Sequence, residues 1–278
     1  MTLHRYAAFT TDPAAGNPAG VWIGHALPDA AEMQRVAALL GDSETAFVAP
    51  ANGDQRTVRY FSPEAEVPFC GHATIALGVA LGEAEGAGTY RLATAAGEVP
   101  VDVRRREGRW DASLTSVETR HEPATDTLVS EALTALGWSP DDVDSSIPPA
   151  RAYAGAWHLV LAATTAERLA TLGYAFDALR TLMLHEGLTT LQLVWRERDD
   201  MFMSRNPFPV GGVVEDPATG AAAAALGGYL RDAGLRAAPF DMVVRQGEAM
   251  GRPSRIDVSV PSAGGIVVTG AAVPIPIP

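Results

Sequence analysis

Three short stretches carry side chains suited to proton transfer. The stretch "SETAFV" places Glu44 directly before an apolar strand pattern. A carboxylate at such an edge suits taking a proton from carbon and returning it. In "VPFCGHATIALGVAL", residues 67–81, His72 falls in the first turn of what reads as a very apolar helix. An imidazole there suits a general acid or a hydrogen-bond donor. In "VVEDPATG", Asp216 stands just before a second helix of small residues. Each residue also has a plainer reading: a solvated strand-end glutamate, a structural histidine, and a helix cap supplied by Asp216 or Thr219 with Pro217 near the start. Cys70 also precedes a helix start, a place that favours thiolate. Its plainer reading is a small buried residue between Phe69 and Gly71.

Composition removes many other chemistries. One cysteine cannot form an internal disulfide or a cysteine-rich zinc site. All 21 basic residues are arginine. Without lysine there is no Schiff base and no P-loop. The histidines His4, His25, His121, His158 and His185 stand singly, without metal-ligand spacing. No metal and no cofactor are therefore expected. There is no G-x-S-x-G elbow and no G-x-G-x-x-G after a strand. A net charge of −12 argues against nucleic acid and anionic membranes as partners. Arg104-Arg105-Arg106 reads as a solvated hairpin tip. No signal peptide and no run of about 18 apolar residues is present, so a cytoplasmic protein is expected.

The elements that must position these residues are mixed α and β. Strand patterns run through "HRYAAFT", "AGVWIG", "ETAFVAP" and "QRTVRYFS", with an Asn-Gly hairpin signal at "ANGD". "LPDAAEMQRVAALLGD" is an amphipathic helix that Asp29 can cap. Later, "ATDTLVSEALTALGWSP" and "TAERLATLGYAFDALRTLMLHEG" read as helices between further strands. At 278 residues the chain suits two domains: residues 1–118 plus 265–278, and 119–264.

The two halves echo each other. In each, a loop enters a helix that is apolar or small on every face. Aligning Cys70-Gly71-His72-Ala73 with Pro217-Ala218-Thr219-Gly220 sets the repeat at 147 residues. A helix apolar all round must be buried on all sides. The expected solution is one such helix inside each of two curved sheets, with a site between the domains. The helix starts near Gly71 and Gly220 offer unpaired N–H groups to a carboxylate. Two-thiol racemase chemistry is excluded, because the position matched to Cys70 is Pro217.

Five stretches in order, "GNPAGV", "SETAFV", "RYFSPEAEVPFCGHATIA", "GVVEDPATGAAAAALGGYL" and "QGEAMGRPS", resemble the phenazine-biosynthesis PhzF-like isomerase family over essentially the whole chain. That family is similar in fold to diaminopimelate epimerase. The resemblance implies an α+β fold of two similar domains, each a curved sheet or barrel around a central helix. It implies a proton-shuttling Glu44, with His72 and Asp216 as its acid–base partners. It implies substrate contacts from Asn17, Gly71, Ala73, Gly220 and Ala221. Well-known members carry serine after "ATG", where this chain has Ala221. The expected activity is a cofactor-independent isomerisation of a small, cyclic, carboxylate-bearing metabolite, in a homodimer. The alternatives are a racemase or epimerase using Glu44 and Asp216, and an inactive metabolite-binding module.

Overall fold

The computed structural model describes residues 2–50 and 55–278, so the "ANGD" turn lies outside the described residues. The chain divides into two compact units, residues 2–115 with 269–278, and 116–268.

The first unit contains β1 (Thr2–Ala8), β2 (Asn17–Ile23), α1 (Ala30–Leu40), β3 (Glu44–Pro50), β4 (Gln55–Phe61), β5 (Glu66–Val67), α2 (Gly71–Glu85), β6 (Gly88–Thr94), β7 (Gly97–Arg106) and β8 (Arg109–Thr115). The second contains β9 (Arg120–Pro123), α3 (Asp126–Leu136), β10 (Ala150–Tyr153), β11 (Trp157–Ala162), α4 (Ala166–Ala170), α5 (Phe176–Glu186), β12 (Thr190–Arg198), β13 (Met201–Pro207), β14 (Glu215–Asp216), α6 (Gly220–Asp232), β15 (Phe240–Gln246) and β16 (Ser254–Val260). The last strand, β17 (Val267–Pro274), contributes its residues from Thr269 onward to the first unit.

In the first unit the sheet closes on itself. β1 pairs antiparallel with β2 and β17. β2 runs parallel to β3, β3 antiparallel to β4, and β4 parallel to β6. β6, β7 and β8 continue antiparallel, and β8 meets β17 to complete an eight-stranded barrel. A parallel pair needs a crossover. α1 supplies one, capped by Asp29 as expected, and its Met33 and Ala37 pack on Trp22, Phe47 and Phe61. α2 supplies the other and runs through the barrel interior. Every residue from His72 to Gly82 is buried, which is the burial that its uniformly apolar sequence demands. Gly78 sets the closeness of that fit. A Cβ there would lie 2.7 Å from the Ala112 Cβ and 2.9 Å from the Val101 Cγ1.

In the second unit β9, β10 and β11 are antiparallel neighbours, and β11 runs parallel to β12. β12 pairs antiparallel with β13, β13 parallel with β15, and β15 antiparallel with β16. These strands pack around α6, of which Gly220 and Ala222–Leu230 are buried. α3, α4 and α5 cover the outer face through Leu128, Leu136, Leu169, Leu179 and Met183. The stretch "TAERLATLGYAFDALRTLMLHEG" forms two helices rather than the one expected. The chain leaves α4 at Thr171, and the Ala175 N–H donates to the Ala135 carbonyl at 2.9 Å instead of continuing a helix.

The helix starts also correct the expected repeat. α2 begins at Gly71 and α6 at Gly220, which are 149 residues apart, not 147. In that register Leu77, Gly78 and Leu81 fall on Leu226, Gly227 and Leu230. Gly227 plays the part of Gly78: a Cβ there would lie 2.9 Å from the Val260 Cγ2. Cys70 therefore corresponds to Thr219, and His72 to Ala221. Among the described residues, no helix is long and apolar enough to cross a membrane.

Candidate active site

Glu44 owes its place to the turn after α1. Gly41 ends that helix in the left-handed region, at φ 68°. The buried Asp42 then accepts from Arg5 of β1: Nη2 donates to Oδ1 at 2.6 Å, and Nε to Oδ2 at 2.7 Å and to Oδ1 at 3.0 Å. A bidentate pair of this kind fixes direction as well as distance. Ser43 and Glu44 leave the clamped turn at the head of β3. In the parallel pairing with β2, Glu44 stands beside Ala19. Side chains alternate along a strand, so Asn17, two residues before Ala19, shares the Glu44 face. Asn17 is buried.

His72 owes its place to the start of α2. Cys70 is the residue before the helix, with extended backbone, and makes no side-chain cap to it. Instead the first turn is tied from behind. The Thr74 hydroxyl donates to the Cys70 carbonyl at 2.6 Å and lies 2.7 Å from the Tyr60 hydroxyl on β4. Burial pushes the Tyr60 phenol well above its ordinary range, so it stays neutral.

These two elements bring four side chains into one small volume. His72 Nε2 lies 3.2 Å from Ser43 Oγ and 3.5 Å from Glu44 Oε2. The Cys70 thiol donates to Glu44 Oε2 at 3.4 Å, and its sulfur lies 3.3 Å from His72 Nδ1. Cys70 is buried, as its plainer reading holds, but it is not inert packing: its thiol touches both neighbours. Glu44, Cys70 and His72 also form a set of metal-ligating types, with ligand atoms all within 4.8 Å of one another. The expectation of no such set rested on local spacing. Glu44 is 26 residues from Cys70, and only β3 and α2 bring the two together.

Asp216 belongs to the second unit. β14 pairs with β13, placing Asp216 opposite Asn206 and Glu215 opposite Pro207. The buried Glu215 is held by Arg205, whose Nη2 and Nε donate at 2.6 and 3.0 Å. The Thr219 hydroxyl donates to Asp216 Oδ2. Neither residue caps α6, contrary to the plainer expectation: α6 starts with no side-chain cap, as α2 does. The loop is instead fastened by Gln246 at the end of β15. Its Nε2 donates to the Asp216 carbonyl at 2.7 Å and to Thr219 Oγ1 at 2.9 Å, and its Oε1 accepts from the Thr219 N–H at 3.1 Å. Gly247 follows with φ 78°, and a Cβ on it would lie 2.7 Å from the Pro217 carbonyl. Sequence reasoning quoted the Gln246 stretch but gave it no role. The available signal was a Gln-Gly pair closing the strand pattern "FDMVVR".

The expected substrate contacts separate by burial. Gly71 is half-buried, with no heavy atom within 4 Å of an added Cβ. Ala221 is also half-buried, while Gly220 is buried. Ala73 is fully buried, so its side chain belongs to the barrel core and offers no surface to a ligand.

Similarity to known proteins agrees with this architecture. The profile of the PhzC–PhzF family, phenazine biosynthesis-like proteins, matches residues 6–276. The chain belongs to that family. An uncharacterized isomerase of Deinococcus radiodurans is 34% identical over 272 residues, covering 93% of this chain and 86% of its own. The trans-2,3-dihydro-3-hydroxyanthranilate isomerase of Pseudomonas fluorescens is 31% identical over 261 residues, covering 91% and 88%. A PhzF-family crystal structure from Bacillus anthracis superposes with a TM-score of 0.88 at 23% identity, covering 99% and 98%. This PhzF-family protein is an isomerase of α+β, epimerase-like fold.

Proposed function

We infer that this PhzF-family isomerase moves a proton between carbons of a small, cyclic, carboxylate-bearing metabolite, without a cofactor. The observation that carries the reading is the Glu44 carboxylate, 3.5 Å from His72 Nε2 and 3.4 Å from Cys70 Sγ at an uncapped helix start. A carboxylate with a histidine in reach has what a proton shuttle needs: an acceptor for the carbon-bound proton and a neighbour that exchanges it. Glu44 takes the proton and returns it to a second carbon of the same molecule. In this reading the N–H groups of the helix start at Gly71, which has no side-chain cap, stabilise the charge that develops on the substrate, or bind its carboxylate. Asp216 is a further acid–base group on the strength of the family kinship, and Asn17, Gly220 and Ala221 are substrate contacts on the same ground. A homodimer and a cytoplasmic location belong to the same reading.

The dihydro-hydroxyanthranilate named for the Pseudomonas fluorescens relative is the first compound to test. Positioned general acid–base catalysis contributes about 10²–10⁴-fold. Glu44→Gln is expected to lower kcat by at least about 10²-fold, with an unchanged circular dichroism spectrum. Turnover in deuterium oxide should place deuterium at the carbon that gains the proton, with a shifted double bond. Inversion at a single centre without a double-bond shift would mark an epimerase instead. Near-normal turnover by Glu44→Gln removes the assignment of Glu44.

A further inference from the structure

We propose that Gln246 and Thr219 are positioning residues of the isomerase, a directed pair that holds the Asp216 carboxylate in one orientation. The proposal rests on the acid–base role given to Asp216 above.

The direction of each hydrogen bond is fixed by its partners. Gln246 is 1% exposed, so its amide must find partners within the fold. Two of them are backbone groups with one possible role each. The Asp216 carbonyl can only accept, and it does so from Nε2 at 2.7 Å. The Thr219 N–H can only donate, and it gives to Oε1 at 3.1 Å. Together they fix which end of the amide is the nitrogen. The second N–H of Nε2 then donates to Thr219 Oγ1 at 2.9 Å. With its oxygen accepting there, the Thr219 hydroxyl donates its own proton to Asp216 Oδ2. The order runs one way, from amide to hydroxyl to carboxylate. Only glutamine suits the first place. A glutamate has no N–H to give, and an asparagine is one methylene shorter.

The main chain of the loop is held without the hydroxyl. Asp216 pairs with Asn206, which is buried and donates to Thr190 and Gln192. After Gln246 the chain turns at Gly247, with φ 78°. A Cβ on Gly247 would lie 2.3 Å from the Arg252 carbonyl oxygen and 2.7 Å from that of Pro217, so the loop rests directly on this corner. Gln246 adds its two bonds to loop backbone. The Thr219 hydroxyl contributes to none of these supports. What it fixes is the carboxylate, by holding Oδ2. An acid–base group works only where its oxygen meets the proton, and a misplacement of about 1 Å can lower the rate on the order of 10²-fold.

The first test needs no substrate. Hydrogen exchange of the Gln246 side-chain amide is followed by NMR on the full-length protein, with the signal assigned by its loss in Gln246→Glu. Both Nε2 protons should exchange slowly in the wild type. Thr219→Val keeps the Thr219 N–H and the Asp216 carbonyl, so it should speed one of the two by about 10-fold or more and leave the other slow. Fast exchange of both in the wild type, or unchanged exchange in Thr219→Val, overturns the pair.

The second test is steady-state turnover of the dihydro-hydroxyanthranilate named above. Thr219→Val and Thr219→Ala should lower kcat by about 10–100-fold with KM little changed. Thr219→Ser restores the hydroxyl and should restore turnover. In an Asp216→Asn background Thr219→Val should cause no further loss, because the group it orients is gone. Additive losses would mark a merely structural threonine and overturn the proposal. The two readings fail separately. Full turnover by Thr219→Val and Thr219→Ala beside an inactive Asp216→Asn removes the positioning role and leaves the isomerase reading. Wild-type turnover by Asp216→Asn removes the acid–base role of Asp216, and the positioning role with it, whatever the exchange of Gln246 shows.

Discussion

His158 gives the second unit a measurable pH signature. It lies on β11, fully buried, with Nδ1 2.8 Å from the Thr190 hydroxyl and Nε2 without a hydrogen-bond partner. Thr190 also accepts from Asn206 Nδ2 at 3.1 Å, and Asn206 donates to Gln192 at 2.6 Å. Asn206 is the strand partner of Asp216, so this buried network backs the loop that carries the second candidate carboxylate. Burial alone pushes the His158 imidazole down from 6.5 to about 3. The folded protein therefore keeps His158 neutral where the unfolded chain begins to bind a proton. Between those two values the unfolded state holds more protons, so stability falls as pH falls. The contribution is fully present above about pH 6.5 and is lost at up to about 1.4 kcal/mol per pH unit below it. At pH 5 the loss is about 2 kcal/mol. Urea unfolding at closely spaced pH values between 7.5 and 5 measures it, and this window lies above the ordinary carboxylate range. His158→Asn keeps a polar partner for Thr190 and removes the titration. Its stability should be lower throughout but flatter with pH, by about 2 kcal/mol over the window. Parallel pH profiles for wild type and His158→Asn would refute the reasoning, because His158 would then be protonated in the fold or open to water.

Two further outcomes follow from packing and charge. Arg205→Met leaves the buried Glu215 carboxylate without its bidentate partner and should cost about 3 kcal/mol in urea unfolding, with Arg205→Met/Glu215→Leu recovering most of it. If the single variant is as stable as the wild type, the pair does not hold the Asp216 loop. Gly78→Ala forces a methyl against Ala112 and Val101 and should cost about 1–3 kcal/mol, while Gly71→Ala meets no atom within 4 Å and should cost nothing measurable in thermal unfolding. Equal effects at the two glycines would show that α2 is not confined as described.

How far the sequence is legible depends on the range of the cause. α1 was readable because its signals are local: Asp29 accepts from the Glu32 N–H, and Gly41 takes the left-handed cap. α2 was readable because eleven consecutive buried residues admit only an interior position. The break between α4 and α5 was not, since the Ala175 N–H is satisfied by Ala135, forty residues earlier, and no local pattern announces that. The site divides in the same way. Glu44, His72 and Asp216 stand out as chemistry at element ends. The contact of Cys70 with Glu44 depends on where β3 meets α2, and a reading of single stretches gave the thiol to packing. The repeat shows most clearly how a plausible local match misleads. Matching "CGHA" to "PATG" pairs residues by appearance. Matching the helix starts pairs Gly78 with Gly227, two glycines that strands press against for the same steric reason. Packing is thus what the two halves share. Chemistry is not, because His72 falls on Ala221 and Cys70 on Thr219. The barrel helix of the first unit alone places a thiol and an imidazole against a carboxylate. The proposed proton transfer therefore centres on that one helix start.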